Sequence, residues 1–207
     1  MCVPDIVRAD ELERLVSIST NLAAETRAAG SDGLKDVDGG TGVRMHVPAM
    51  LPTEIALCDT ILQRMLRFVD AELPALGPYL FGTPTSASPP SHKLSLYALH
   101  ESGDLAFSAN EPAVNVYYEG GSFSPHKDYC ALTVLIPLTS PDSFAGGGTG
   151  FWAPESRRGA LPSSGEPSMV LAPPAGTGLL FCGDVMHAGM PVQAGTRAVF
   201  VASFDRR

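Results

Sequence analysis

An imidazole and a carboxylate stand two residues apart in Ser122-Phe-Ser-Pro-His126-Lys-Asp128-Tyr129. Far downstream, Gly183-Asp-Val-Met-His187 leads on to Arg197 and adds a second imidazole and then a guanidinium. In extended backbone, side chains at i and i+2 leave the same face, so His126 and Asp128 can reach one ion together. Two imidazoles and one carboxylate on one face of an octahedron leave open positions, which is the ligand set suited to non-heme ferrous iron. The H-x-D pattern alone is a weak signal, because it arises by chance and an isolated histidine usually has a structural role. The distal His187, followed by Arg197 inside a β-rich segment, gives it weight.

Arg197 lies ten residues beyond His187, at the head of the run Arg197-Ala-Val-Phe-Val-Ala-Ser-Phe204. Period-two alternation places Arg197, Val199, Val201 and Ser203 on one face and Ala198, Phe200, Ala202 and Phe204 on the other. An inward-facing arginine is costly to bury unless an anion pairs with it, and its planar fork matches a carboxylate. The plainer alternative is an exposed arginine at a strand start, paired with a surface acid. Gly146, Gly147 and Gly148 permit a turn or bulge where backbone passes close to the site. No lysine and no helical pattern follow them, which argues against a phosphate-cradling loop.

The elements that must position these groups follow from composition and periodicity. A chain of 207 residues with 44% hydrophobic content predicts one domain over 1–207 with a substantial core. Within it, 1–90 reads as a helical support region and 91–207 as the catalytic core. The formal charge is 14 − 22 = −8 without a basic run, which disfavours nucleic acid as a partner. No apolar run reaches membrane-span length, and Met1-Cys-Val-Pro-Asp-Ile6 lacks the basic start and apolar core of a signal peptide. Cys2, Cys58, Cys130 and Cys182 are too sparse for a disulfide framework or a zinc site. A reducing, intracellular, cytoplasmic setting fits these features and would help keep iron ferrous.

Residues 9–29 read as an amphipathic helix with Leu12, Leu15, Val16, Leu22 and Ala23 on one stripe, acids in the first turn and Gly30 as a stop. A second helix is predicted after Pro52-Thr53, with Thr53 as N-cap and an end before Pro74. Its buried stripe would be Cys58, Ile61, Leu62, Met65 and Val69. Residues 31–50 and 82–91 read as Gly/Pro-rich loops and candidate lids. From Lys93 onward the texture changes to short β runs, about 93–100, 113–119, 131–138, 149–153, 168–172, 178–182 and 196–204. That pattern predicts a mainly β sandwich or barrel flanked by two N-terminal helices.

Several of these motifs, in order, resemble the 2-oxoglutarate- and Fe(II)-dependent dioxygenases, in their prolyl 4-hydroxylase-like branch. The matching residues are Val114-Asn-Val-Tyr117-Tyr-Glu-Gly-Gly121, His126-Lys-Asp128, Leu132-Thr-Val-Leu-Ile-Pro-Leu138, Phe144-Ala-Gly-Gly-Gly-Thr149-Gly-Phe151, Gly178-Leu-Leu-Phe181 and His187 through Arg197. Together they cover roughly residues 93–204, and their joint occurrence is far more specific than any one motif. The resemblance implies a double-stranded β-helix, or jelly-roll, core. It implies His126, Asp128 and His187 as the catalytic metal ligands, and Arg197 as the residue that holds the distal carboxylate of 2-oxoglutarate. Tyr117 matches a tyrosine that touches the same co-substrate and Thr149 a threonine near its carboxylate. Their alternatives are a core aromatic and a β-branched strand residue.

The implied reaction is hydroxylation of an unactivated C–H bond of a small molecule or a protein side chain, with dioxygen consumed and succinate and carbon dioxide released. Ascorbate is a further candidate cofactor. Phe123 replaces a tyrosine of collagen-type prolyl hydroxylases, and Tyr129-Cys-Ala-Leu-Thr133 lacks their insertion and arginine, which argues against a peptidyl-proline substrate. Phe123 and Trp152 are candidate substrate-side residues, Trp152 being equally explained as a packed or rim aromatic. Lys127 reads as a solvated side chain and Cys130 as a small hydrophobe. His46, His92 and His100 lack partners at ligand spacing. The alternatives are base demethylation of nucleic acids, disfavoured because Ser203 stands where a second arginine belongs, and a cupin-like metal protein that uses no 2-oxoglutarate or does not turn over.

Overall fold

A computed structural model describes residues 1–28, 41–82, 94–153 and 165–207. Helix α1 (Ala9–Ala28) and helix α2 (Pro52–Glu72) precede two short helices, α3 (Leu76–Phe81) and α4 (Leu96–Glu101). The strands in chain order are β1 (Cys2–Val3), β2 (Gly42–His46), β3 (Leu105–Phe107), β4 (Ala113–Tyr117), β5 (Phe123–His126), β6 (Leu132–Pro137) and β7 (Phe144–Gly146). They continue with β8 (Thr149–Phe151), β9 (Met169–Leu171), β10 (Gly178–Phe181), β11 (His187–Gly189), β12 (Val192–Gly195) and β13 (Arg197–Arg206).

Seven strands make the larger antiparallel sheet, ordered β1-β10-β6-β13-β4-β2 with β3 also on β13, and a second sheet runs β5-β11-β8-β9. Strands β12 and β7 form a separate pair. The architecture is mainly β, and the two larger sheets both supply walls to one cavity, the arrangement of a double-stranded β-helix. Members of the larger sheet alternate strictly. Val43, Met45, Val114, Val116, Val134, Ile136, Ala198, Phe200, Ala202 and Phe204 join the core that Leu15, Ile61, Leu62, Met65 and Val69 of α1 and α2 complete. The intervening residues Arg44, Asn115, Tyr117, Leu135, Arg197, Val199 and Val201 line the cavity on the other face. One pleat therefore sorts the chain into a helix-packed side and a cavity side.

The predicted stripe of α2 is buried as expected, with Leu66 and Glu54 added. Its start differs: Leu51 occupies the N-cap position and Pro52 the first turn, while the Thr53 hydroxyl donates to Glu54 Oε1 at 2.9 Å. Proline preset for helical φ fixes this start without a side-chain cap. On α1, Leu15 and Ala23 are buried, but Leu22 is exposed at the edge of the stripe. Glu11 is buried instead, because Arg64 of α2 grips its carboxylate with two bonds of 2.8 Å. Gly30 lies outside the described residues.

Two other expectations are corrected. The run 93–100 is no strand: its described part holds α4, capped by Ser95 Oγ, which accepts from Ala98 N at 3.0 Å. The Asp70 carboxylate also accepts from Leu96 N and Tyr97 N, each at 2.8 Å, and Leu96 and Leu99 bury one helical face. The expected loop 31–50 contains β2 where it is described, because Val43 and Met45 alternate with Arg44 and pair with Val116 and Val114. Its earlier part, and all but Gly82 of the expected loop 82–91, lie outside the described residues. Among the described residues no helix is long and apolar enough to cross a membrane.

Candidate metal centre

His126 ends β5 and His187 begins β11, and the two are paired directly across the ladder. Asp128 follows two residues after His126, where its N–H donates to Gly183 O at 2.9 Å. A Cβ on Gly183 would lie 2.3 Å from Cys130 O, so only glycine allows this close approach of the two metal-motif segments. The ligand atoms of His126, Asp128 and His187 all lie within 4.8 Å of one another. His126 Nε2 is 3.4 Å from Asp128 Oδ1, and His187 Nε2 is 3.6 Å from Asp128 Oδ2.

Backbone carbonyls orient both rings. His126 Nδ1 lies 2.8 Å from Ser124 O and His187 Nδ1 lies 3.0 Å from Val185 O. A carbonyl can only accept, so each Nδ1 carries a hydrogen, and in the neutral ring Nε2 then presents its lone pair to the cluster. The Thr133 hydroxyl donates to Asp128 Oδ2 and lies 3.3 Å from the Ser203 hydroxyl. Burial works to raise the Asp128 pKa, but the imidazoles of His126 and His187 beside it and the Thr133 hydroxyl bring it below the ordinary value. Burial pushes His187 down, toward the neutral imidazole that a metal requires. Phe181 meets the His187 ring edge-on at 4.9 Å and Phe123 sits 4.5 Å from the His126 ring, shielding the cluster with apolar surface.

Arg197 is 4% exposed and packs into the same cavity. Its Nη2 donates to Thr149 Oγ1 at 3.2 Å, and among the described residues no carboxylate lies within ion-pair distance of it. Burial presses its pKa below the ordinary arginine value. The Tyr117 ring, opposite it in register, lies 5.4 Å from the guanidinium carbon. A Cβ on Gly189 would sit 3.4 Å from the Tyr117 hydroxyl, and Gly189 is the register partner of Thr149. Arg197, Tyr117 and Thr149 therefore converge on Gly189, one side-chain repeat along β11 from His187, or roughly 7 Å. All three residues of Gly146-Gly147-Gly148 have positive φ, and a Cβ on Gly147 would be 3.1 Å from Arg197 Cδ, so the glycine turn does pass close to the site.

The cavity of about 380 Å³ is lined by His126, Asp128, His187, Arg197, Tyr117, Thr149 and Phe123 together. The lining described does not include Trp152, whose indole N–H donates to Gly165 O at 2.9 Å. Lys127 is half-buried, Cys130 shares a hydrogen bond of 3.0 Å with Ser108, and His100 pairs with Asp59 at 2.7 Å. His92 lies outside the described residues. Sequence reasoning missed Thr133, Arg44, Glu111 and Asn115. The signal for Arg44 was present in its place between Val43 and Met45, and for Thr133 in the alternation of β6.

The donor set fits a ferrous ion: two imidazoles and one carboxylate, with room beside them. The arginine, buried with a neutral hydroxyl as its hydrogen-bond partner among the described residues, fits an anionic ligand.

No family model and no curated protein matches the sequence. Solved structures do match the fold. An oxidoreductase of the 2OG-Fe(II) oxygenase family from Burkholderia pseudomallei shares 17% identity over 100% of this chain and 84% of its own, with a TM-score of 0.60. The viral collagen prolyl hydroxylase of Paramecium bursaria Chlorella virus-1, in its 2-oxoglutarate complex, shares 14% identity over 99% of this chain and 93% of its own, with a TM-score of 0.56. A prolyl-4-hydroxylase from Pseudomonas putida shares 16% identity over 100% and 92%, with a TM-score of 0.54. The chain thus has the fold of 2-oxoglutarate- and Fe(II)-dependent oxygenases, prolyl 4-hydroxylases among them.

Proposed function

We propose that the chain is an Fe(II)- and 2-oxoglutarate-dependent dioxygenase that hydroxylates an unactivated C–H bond of a small molecule or a protein side chain. One observation carries the reading: a single cavity holds three clustered metal-ligating groups and a buried arginine that no carboxylate pairs among the described residues. His126, Asp128 and His187 would hold the ion. Arg197, with Thr149 and Tyr117, would hold the far carboxylate of the 2-oxo diacid, whose other end belongs at the ligand cluster. When bound, the ferrous ion with its 2-oxo acid and dioxygen supplies the oxidation, and succinate and carbon dioxide leave as co-products.

The chain's own share is positioning. The carbonyls of Ser124 and Val185 hold both imidazoles in the tautomer that offers Nε2, and Thr133 fixes the Asp128 carboxylate. Phe181 and Phe123 place apolar surface against the two rings, and the burial of Arg197 strengthens its pairing with an anion. A metal-only reading would leave Arg197 buried without an anion, which is a costly arrangement to retain.

Anaerobic titration of the apo-protein with Fe(II) and then 2-oxoglutarate tests this. A visible charge-transfer band should appear and should weaken sharply in Arg197→Ala. Iron binding without a band would sink the 2-oxoglutarate assignment, and no iron binding would sink the metal site.

A further inference from the structure

The cavity carries a second charged group beside the one assigned to the co-substrate. Across the larger sheet, Gly42, Tyr117 and Arg197 form one row of the register, and Arg44, Asn115 and Val199 form the adjacent one. Two guanidiniums therefore rise from neighbouring rows of the same face. They differ in partners. Arg44 Nη2 is held by Glu111 Oε1 at 2.7 Å, and its Nη1 donates to Asn115 Oδ1 at 3.3 Å. Glu111 Oε2 accepts the N–H of Ser203. The side chains of Arg44 and Glu111 are 13% and 7% exposed, and both line the cavity.

A guanidinium has five N–H donors, of which two are taken here, and a carboxylate has about four acceptor sites, of which two are taken. The pair is thus fixed in place yet, among the described residues, has unused donors and acceptors on a cavity wall. A buried ion pair contributes little to stability compared with apolar packing of the same volume, so its place in the cavity calls for a role. Charge balance narrows that role. Arg44, Arg197, Glu111 and Asp128 sum to zero, and so do a divalent cation and a dicarboxylate. An anionic substrate would leave this largely buried set of charges unbalanced, and an apolar one would leave the unused donors and acceptors unpaired. A zwitterion does neither, because each of its charges meets one member of the pair. At about 380 Å³ the cavity is near the lower end for ligand sites, and the co-substrate occupies part of it.

We propose that Arg44 and Glu111, steadied by Asn115 and the Ser203 amide, form the subsite for the primary substrate, and that it takes a small zwitterion of the free amino-acid type. Arg44 donates to the carboxylate and Glu111 accepts from the ammonium. This rests on the dioxygenase reading above, since it is the co-substrate that occupies the Arg197 row.

The test is calorimetric binding and succinate release on protein loaded with Fe(II) and 2-oxoglutarate, binding being measured anaerobically. The probes are the free proteinogenic amino acids, their N-acetyl derivatives, which lack the ammonium, and their amides, which lack the carboxylate. At least one free amino acid should bind and stimulate succinate release, and its two derivatives should bind at least about tenfold more weakly. Arg44→Met should lose that binding by at least tenfold while the charge-transfer band of bound 2-oxoglutarate persists. Because Arg44→Met strands a buried carboxylate, the double variant Arg44→Met/Glu111→Gln provides the same readout with the charge removed from both partners. Equal binding of a free amino acid and its N-acetyl derivative would overturn the proposal, as would unchanged binding in the double variant or no binding by any free amino acid. Absence of the band in the wild-type protein would instead overturn the dioxygenase reading.

Discussion

Strand β13 has two faces that are equally buried and chemically opposite. Ala198, Phe200, Ala202 and Phe204 are 0–2% exposed and pack on the helices, whereas Arg197, Val199, Val201 and Ser203 are 0–8% exposed and face the cavity side. Burial alone therefore does not distinguish core from site. On the helix side, apolar groups fill volume against apolar groups. On the cavity side, polar groups are buried by walls around an opening, and each is satisfied by a neighbour or is positioned to meet a ligand. If that division is right, substitutions on the two faces should change different measured quantities.

The largest effect should come from the cavity side. Asp128→Ala should abolish iron retention and turnover while leaving the apo-protein folded, with a small fall in thermal midpoint because the Thr133 hydroxyl loses its acceptor but no core packing is removed. A variant that unfolds would show Asp128 to be structural. The mirror-image experiment is Phe200→Ala, which should lower stability by about 3–5 kcal/mol through lost transfer free energy and a cavity. For a chain of this length that is a fall in melting temperature of roughly 10 °C. The folded fraction should still bind iron and 2-oxoglutarate, and loss of both at low temperature would erase the division.

Arg197→Ala should come next. It should raise the 2-oxoglutarate requirement by about 2–4 kcal/mol of binding, or roughly thirtyfold to a thousandfold, with iron affinity retained. Among the described residues the Thr149 hydroxyl loses its one hydrogen bond to Arg197 and the Tyr117 ring a cation contact, so the melting temperature should change little, and unchanged 2-oxoglutarate saturation would remove the assigned role.

These expectations rest on features of unequal legibility. The faces of β13 could be read directly, because a strand buried on both sides still alternates and Arg197 marks the odd-numbered face. The triad was legible as types and spacing, but the direct pairing of His126 with His187 is a long-range register that no local pattern encodes. Strand β2 was hidden by its glycine-rich approach, and with it the Arg44–Glu111 pair, whose partners lie 67 residues apart. The segment around Leu96 misled for the converse reason. Its leucines suit a short strand as well as one helical face, and the decision is made by Asp70, a residue of another element that accepts from two amides at its N-terminus.

Thr133→Val probes the cavity side more gently. It keeps the shape and removes the hydroxyl that donates to Asp128, so iron affinity should fall about 10–100-fold, with little change in folding. Equal affinity in the variant would mean that the pairing of β5 and β11 suffices to place the ligands.

The smallest effect separates the two sides by acid. On the cavity side, His187 must be neutral to bind metal, so iron binding should weaken in acid, and burial of His187 moves that loss below the ordinary imidazole range. On the helix side the sensitive group is Glu11, whose pKa is lowered from 4.5 to about 2, chiefly by the Arg64 hydrogen bond and against the opposing effect of burial. A depressed carboxylate pKa means that the unfolded chain binds the proton more tightly. The contribution of Glu11 is therefore fully present above pH 4.5 and is lost as pH falls toward 2. Between about pH 5.5 and 3.5 it should remove on the order of 1 kcal/mol from unfolding free energy, and Glu11→Gln should flatten that part of the profile. Iron binding and stability should thus fail in separate pH windows. If Glu11→Gln shifted the metal-binding profile as well, the helix layer and the cavity would be coupled through β13, and the division between its faces would not hold.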